Sequence, residues 1–193
     1  MVGFEHREDA ERFLADLRER LGKFGLELAA EKTRLIEFGR FAARDHARRG
    51  DHKPDTFVFL GFTHICAKDK HGRFKLRRTT SKKKMRVKLK SVKAEMMRRR
   101  DHPIPEQGRW LARVLQGHYN YYAVPDNSEA LHGFRRRVIH HWRRALSRRS
   151  QKGRVSWPQI HVLADRWLPQ PHIQHPWPNQ RFDAKTRRRS PVR

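Results

Sequence analysis

The sequence is poor in cysteine and in long apolar runs, and each shortage excludes a class of protein. A single cysteine, Cys66, among 193 residues excludes an internal disulfide framework and any zinc site built on paired cysteines. No apolar run approaches the roughly 20 residues that a membrane span needs. The first residues turn charged too early for a signal peptide. We therefore expect a cytoplasmic protein with no membrane partner.

The motifs of several common catalytic sites are missing as well. The chain contains neither of the glycine-rich phosphate loops, GxGxxG and GxxxxGK[ST], and no HExxH zinc motif, although it has 13 histidines. No pair of carboxylates stands out as a two-metal site. From the residues alone we therefore predict no catalytic residue, no metal ligand and no cofactor bound by this chain.

Acidic residues are scarce only in the later two-thirds of the chain. Lys and Arg number 46 against 20 Asp and Glu, which gives a formal net charge of +26. Residues 1–60 hold 12 residues of each sign, so the whole excess lies after residue 60. A surface with this density of one charge repels itself unless a polyanion neutralises it. The pattern predicts a neutral N-terminal part and a basic part that binds nucleic acid.

Hydrophobic periodicity predicts an α+β protein: a helix with short antiparallel strands and a hairpin, then a helical bundle. Residues 40–55 are interpreted as a loop, and a flexible, Pro-rich and basic tail is predicted from residue 169. The predicted helices span residues 7–24, 82–100, 106–122, 128–149 and 157–168, and the predicted strands span residues 26–28, 34–38, 56–65 and 74–78.

The predicted helix over residues 82–100 carries ten basic residues and one acidic residue, Glu95. Charged helix faces usually alternate in sign so that pairs form at i and i+4, and this helix cannot pair in that way. The helix over residues 128–149 repeats the arrangement with seven arginines. We predict phosphate contacts from both helices; a merely solvated charged face is the alternative. The candidate residues are Lys82, Lys83, Lys84, Arg86, Lys88, Lys90, Lys93, Arg98, Arg135, Arg136 and Arg143.

All three tyrosines lie in one tetrapeptide, Tyr119-Asn120-Tyr121-Tyr122. One interpretation places these rings in the core of the bundle, because Tyr119 and Tyr122 share a helix face. The other is contact with unpaired bases by stacking or through the hydroxyl groups. Both interpretations hold if some rings lie on the buried face of the helix and others on its exposed face. Tyr119, Asn120 and Tyr121 are therefore candidate contacts with nucleic acid.

Four sequence blocks follow one another in an informative order. They are Val2-Gly3-Phe4 with the helix from Glu8, Leu26-Glu27-Leu28 with Glu31-Lys32-Thr33, Phe59-Leu60-Gly61-Phe62, and Gly117-His118-Tyr119-Asn120-Tyr121-Tyr122. In this order they resemble the C-terminal part of a bacterial group II intron-encoded reverse transcriptase, or maturase. The resemblance covers nearly the whole chain, up to about Phe182.

The resemblance implies three parts: the end of a polymerase palm in residues 1–80, a helical thumb, or X, domain in residues 81–168, and a tail in residues 169–193. Lys32 would lie near the incoming nucleotide. The primer end would be placed by Phe59, Leu60, Gly61 and Phe62. The thumb would bind structured intron RNA and the RNA/DNA template-primer duplex, and would assist RNA splicing.

The palm carboxylates of that family, including its Tyr-Ala-Asp-Asp turn, do not occur in this sequence. We therefore expect a truncated or split reading frame, with Mg²⁺ bound only where those aspartates are supplied. The main expectation is an RNA-binding maturase module that is not an active polymerase alone. One alternative is the C-terminal part of an RNA-directed DNA polymerase that works with a separate N-terminal fragment. The other is a general basic nucleic-acid-binding protein.

Overall fold

The computed structural model describes residues 1–50, 53–150 and 153–177. These residues form six helices and one three-stranded antiparallel sheet, which confirms the predicted α+β class. The chain divides into two compact units, Met1–Asp55 and Thr56–Arg193. The resemblance implies a first boundary after residue 80, whereas the hairpin that precedes residue 80 lies in the second of these units.

The N-terminal unit contains two helices, α1 at Arg7–Gly22 and α2 at Ala42–Arg48. The strands predicted at residues 26–28 and 34–38 are wrong. No segment of the described chain pairs with either of them, and an extended segment without a partner does not form a ladder. Helix α2 lies inside the predicted loop, where three alanines favour a helix.

The sheet opens the second unit, with β1 at Phe57–Phe59, β2 at Phe62–Lys68 and β3 at Phe74–Thr80 in the order β1-β2-β3. The single strand predicted at residues 56–65 is wrong because the chain reverses at Leu60 and Gly61. Both residues have positive φ angles, 48° and 79°, as a two-residue type I′ hairpin turn requires. Because leucine rarely adopts this conformation, the sequence does not predict a turn here.

Four helices follow the sheet and confirm the four predicted ones to within a few residues. They are α3 at Lys82–Arg98, α4 at Ile104–Tyr122, α5 at Ser128–Leu146 and α6 at Trp157–Trp167. The predicted apolar stripes form the core. Its buried members on α3 and α5 include Met85, Leu89, Val92, Met96, Leu131, Phe134, Val138 and Trp142.

A buried glutamine, Gln107, joins three of these helices. Its Oε1 accepts a hydrogen bond from Trp142 Nε1 at 2.7 Å, and its Nε2 donates to the carbonyl oxygens of Arg99 and Arg100 at 2.5 and 2.9 Å. The last carbonyl groups of a helix have no partner within the helix. Gln107 therefore satisfies carbonyl groups at the end of α3 and links that end to α4 and α5.

Residues 169–177 pack against the helices. The backbone N–H groups of Gln174 and His175 donate to the carbonyl oxygen of Ala123 at 2.9 and 3.1 Å. The ammonium group of Lys75 lies 4.5 Å from the centre of the Trp177 ring. The prediction of a flexible tail is therefore wrong for this segment, and its remaining part, residues 178–193, lies outside the described residues.

Candidate nucleic-acid interface

Helix α3 carries a row of exposed cations beside its buried stripe, and we call these residues the α3 row. Its members follow one another at intervals of three or four positions, so they lie on one side of the helix. Four residues of helix correspond to about 6 Å along the axis. None of them forms an ion pair with a carboxylate in the part of the chain that the structure describes. The α3 row consists of Lys82, Arg86, Lys90 and Lys93.

The one acidic residue of α3 lies on the opposite flank of the helix. Glu95 accepts from Arg99 at 2.7 Å and from Arg98 at 3.4 Å. The hydrogen bond from Arg99 is the main cause that lowers the pKa of the Glu95 carboxyl. Arg98, a predicted phosphate contact, is thus partly neutralised, and two other predicted contacts, Lys84 and Lys88, lie on this flank rather than in the α3 row.

Helix α5 carries a second row, formed by Arg137, His141 and Arg144 at positions i, i+4 and i+7; we call it the α5 row. Arg137 and Arg144 are exposed, and neither is paired with a carboxylate among the described residues. Both belong to the seven arginines of the predicted helix, but neither is among the candidate residues. The signal that identifies them is their helical position, since both lie to one side of the predicted apolar stripe of α5.

The two rows lie next to each other because α3 and α5 pack side by side in the same direction. Near the start of α3 and at the middle of α5, Arg137 Nη1 lies 3.0 Å from the sulfur of Met85. Beyond the end of both, Arg149 donates to the carbonyl oxygen of Arg100. Burial lowers the pKa of His141, and the positive charge of Lys93 contributes to the same direction. The α3 row and the two arginines of the α5 row, Arg137 and Arg144, therefore form one cationic surface.

Two of the predicted arginines on α5 contact α6 and the segment that precedes it. The buried guanidinium of Arg135 donates to the carbonyl oxygen of Ala164 at 3.3 Å and to Asp165 Oδ1 at 3.2 Å. Arg143, which is half-buried, donates to the carbonyl oxygen of Val155 at 2.9 Å. The guanidinium of Arg135 is therefore partnered inside the protein, and its predicted phosphate contact stays a prediction.

Arg136, the third predicted arginine of α5, is exposed and lines a shallow cleft on the outer face of the helix. The cleft has a volume of about 370 Å³ and is also lined by Gly133, Arg137 and His140. No carboxylate lines it. The cleft therefore extends the cationic surface around α5.

The tyrosine tetrapeptide at the end of α4 divides between core and surface. Tyr119 is fully buried, and burial raises its pKa to about 12. Its ring has no face left for a base, so the core interpretation applies to it. Tyr121 is half exposed, and its hydroxyl donates to the carbonyl oxygen of Leu60 at 2.7 Å. Asn120 is exposed, and its side chain accepts from Gln116 at 2.8 Å.

The β1–β2 turn packs directly on these tyrosines. A Cβ atom on Gly61 would lie 2.7 Å from the Tyr122 hydroxyl, so only glycine allows this approach. The ring of Phe62 stacks on Tyr121 at 5.7 Å. Leu60, at the tip of the turn, remains 65% exposed, and Phe59 is 40% exposed. Two sequence blocks that are about 60 residues apart thus form one contact region.

Lys32, the predicted nucleotide contact, belongs to the N-terminal unit. It is exposed, and its backbone N–H closes a turn by donating to the carbonyl oxygen of Ala29 at 3.0 Å. Its predicted role stays a prediction.

Metal ligands and membrane-spanning helices were sought in the described ranges. No three His, Cys, Asp or Glu side chains there are arranged to hold a metal ion. The residues described therefore do not fit the Mg²⁺ that the resemblance links to palm aspartates. None of the helices in these ranges is long and apolar enough to cross a membrane.

No protein-family model, curated protein or solved structure matches the chain at a significant level.

Proposed function

We propose that the chain is an RNA-binding module of the group II intron maturase type, which binds structured RNA through its phosphates and assists its folding. The single observation that carries the proposal is the cationic surface formed by the α3 and α5 rows. Cations fixed on two packed helices neutralise several phosphates together and release their counterions. Among the described residues, no carboxylate forms an ion pair with the cations of this surface, so their charge is available to a polyanion.

The contact between the hairpin and the end of α4 supports the maturase assignment. The resemblance gives Phe59–Phe62 to the end of a palm and Tyr119–Tyr122 to a thumb, two parts that adjoin in a polymerase. Here Gly61 lies against Tyr122, and the carbonyl oxygen of Leu60 accepts a hydrogen bond from the Tyr121 hydroxyl. A general phosphate-binding protein has no need of this junction, which disfavours the alternative of a general basic nucleic-acid-binding protein.

The affinity for RNA is expected to fall steeply with salt. Against a short RNA hairpin, log K plotted against log[salt] should have a slope on the order of −5, which corresponds to about a 1,000-fold loss between about 50 and 200 mM salt. Neutralising the α3 row by glutamine substitution should make the slope shallower by about 3 to 4, since each lost phosphate contact removes nearly one unit. Fluorescence anisotropy over a salt series measures both.

A matched control removes the same charge elsewhere. Four exposed arginines of the N-terminal unit are changed to glutamine, and the slope should then stay as in the unmodified chain. A flat salt response of the unmodified chain, or an equal change in both variants, contradicts the proposal. The control residues are Arg12, Arg18, Arg20 and Arg34.

The N-terminal unit favours a second candidate, a part of an RNA-directed DNA polymerase that works with a separate fragment carrying the palm carboxylates. Among its described residues only Ala10, Ala42 and His46 are buried. Large apolar side chains remain exposed, with Phe24 at 72% and Leu26 at 57%. Exposed apolar residues in this density are typical of a surface that contacts another polypeptide.

Primer extension tests this second candidate. An equimolar mixture of the chain with a fragment that carries the fingers and the palm aspartates of a group II intron reverse transcriptase should extend a DNA primer on an RNA template. Neither part alone should do so, because two-metal phosphoryl transfer needs those aspartates. Inactivity of the mixture, under conditions in which the intact family enzyme is active, removes this candidate.

A further inference from the structure

An exposed tryptophan stands at the start of α6. Trp157 is 43% exposed and follows directly on the capping residue of the helix. Ser156 Oγ accepts from the N–H of Gln159 at 3.4 Å, and Gln159 Oε1 accepts from the N–H of Ser156 at 2.9 Å. This capping box fixes the backbone on either side of the indole. The ring is therefore held in place before any ligand binds, which lowers the entropic cost of binding.

The surroundings of this indole are aromatic and cationic. The guanidinium of Arg143 lies 4.4 Å from the centre of the Trp157 ring. The rings of His140 and His161 lie 6.0 and 5.9 Å from it, inclined by 33° and 28°. Stacking on such a ring is how proteins bind unpaired bases without sequence preference, and arginine adds a cation–π contribution.

The stacking group is continuous with the cationic cleft on α5. His140 belongs to both, since it neighbours Trp157 and lines the cleft with Arg136 and Arg137. Gly133 leaves the cleft open, because a Cβ atom there would meet nothing within 4 Å. Arginine is the residue best suited to bidentate contact with phosphate. An exposed indole and a cleft lined by two arginines thus lie on either side of His140.

We infer that Trp157 and the Arg136–Arg137 cleft together bind one unpaired nucleotide of the RNA, with its base on the indole and its phosphate in the cleft. This inference rests on the proposed function and names the feature of RNA that this part of the surface selects. A paired base is stacked inside its duplex and cannot lie on the indole. The ligand is therefore RNA in which a single-stranded segment borders a duplex.

The test compares two RNA hairpins, one with a blunt end and one with a single-stranded 3′ extension of about five uridines. The unmodified chain should bind the extended hairpin about 10- to 100-fold more tightly, the gain that stacking of one base on an aromatic ring provides. Trp157→Ala should abolish this difference, and Trp157→Phe should retain most of it. Fluorescence anisotropy at one fixed salt concentration measures the affinities.

Two further variants separate the site from its surroundings. Gly133→Leu fills the cleft without changing the charge, favours the helix and should also abolish the difference. Trp177→Ala removes another exposed tryptophan, 40% exposed and in contact with Lys75, and should leave the difference unchanged. Equal, salt-dependent binding of both hairpins by the unmodified chain overturns the inference and leaves the proposed function intact. Binding of neither hairpin overturns both.

Discussion

Asn127→Ala is expected to lower the free energy of unfolding of the second unit by about 3 to 4 kcal/mol. Asn127 is fully buried between β3, α4 and α5. Its Oδ1 accepts from the N–H of Thr80 at 2.8 Å, and its Nδ2 donates to Thr80 Oγ1 at 2.8 Å and to the carbonyl oxygen of Tyr122 at 2.7 Å. Alanine leaves these buried partners without hydrogen bonds, and each such group costs about 1 to 3 kcal/mol.

Urea unfolding followed by tryptophan fluorescence measures this effect on the second unit specifically, because all five tryptophans lie at residue 110 or later. The matched control is Asn120→Ala, the same substitution at an exposed position on α4, which should cost less than about 0.5 kcal/mol. Equal losses in the two variants would show that Asn127 does not join the hairpin to the helices.

A shift from pH 7 to pH 4 is expected to lower the free energy of unfolding by about 3 kcal/mol through His118 alone. Its ring is buried and stacks on Phe134 at 3.9 Å. Burial lowers its pKa from 6.5 to about 4, and the charge of Lys88 contributes to the same direction. The unfolded chain therefore takes up the proton first. The contribution of His118 to the free energy of unfolding is complete above pH 6.5 and is lost as the pH falls from there to about 4.

The variant His118→Phe isolates this contribution. Phenylalanine keeps the stacked ring, and it removes a buried Nε2 that has no hydrogen-bond partner among the described residues. Its unfolding free energy, measured in urea at several pH values, should decline less than that of the unmodified chain by about 3 kcal/mol between pH 7 and 4. Burial also lowers the pKa values of His64 and His141, so some decline remains. If the free energy of unfolding declines equally with pH in the two proteins, groups other than His118 cause the decline.

The helices of the second unit could be predicted because their signals are local. The stripe from Met85 to Met96 repeats at helical spacing, and all four of its predicted members are buried. The capping box at Ser156 and Gln159 needs only four residues. Where one segment carries both its periodicity and its stop signals, the sequence specifies the element before any tertiary contact forms.

The errors arise where the outcome depends on distant partners. Residues 26–28 favour a strand, yet strand formation needs a second segment that the described chain does not supply. Leu60 adopts a positive φ in a turn whose tip is bonded to Tyr121, about 60 residues further along the chain. Propensity is a weak guide in such places, because tertiary contacts outweigh it.

The cationic surface was predicted as a property of two helices but not residue by residue. Adjacent helical positions differ by about 100°, so Arg135 faces α6 while Arg136 and Arg137 face solvent. Counting charges does not distinguish these three residues. What distinguishes them is the side of α5 on which α6 packs, and the residues of α6 that contact Arg135 are about 30 positions away in the sequence.

The α3 row also connects ligand occupancy with folding. Lys82, Arg86 and Lys90 succeed one another at i and i+4, where like charges oppose helix formation. A polyanion that lies along them removes this repulsion, and since it favours only the native arrangement, mass action raises the population of folded molecules as its concentration rises. Under the proposed function, the RNA that binds this surface would therefore also promote the folding of the chain.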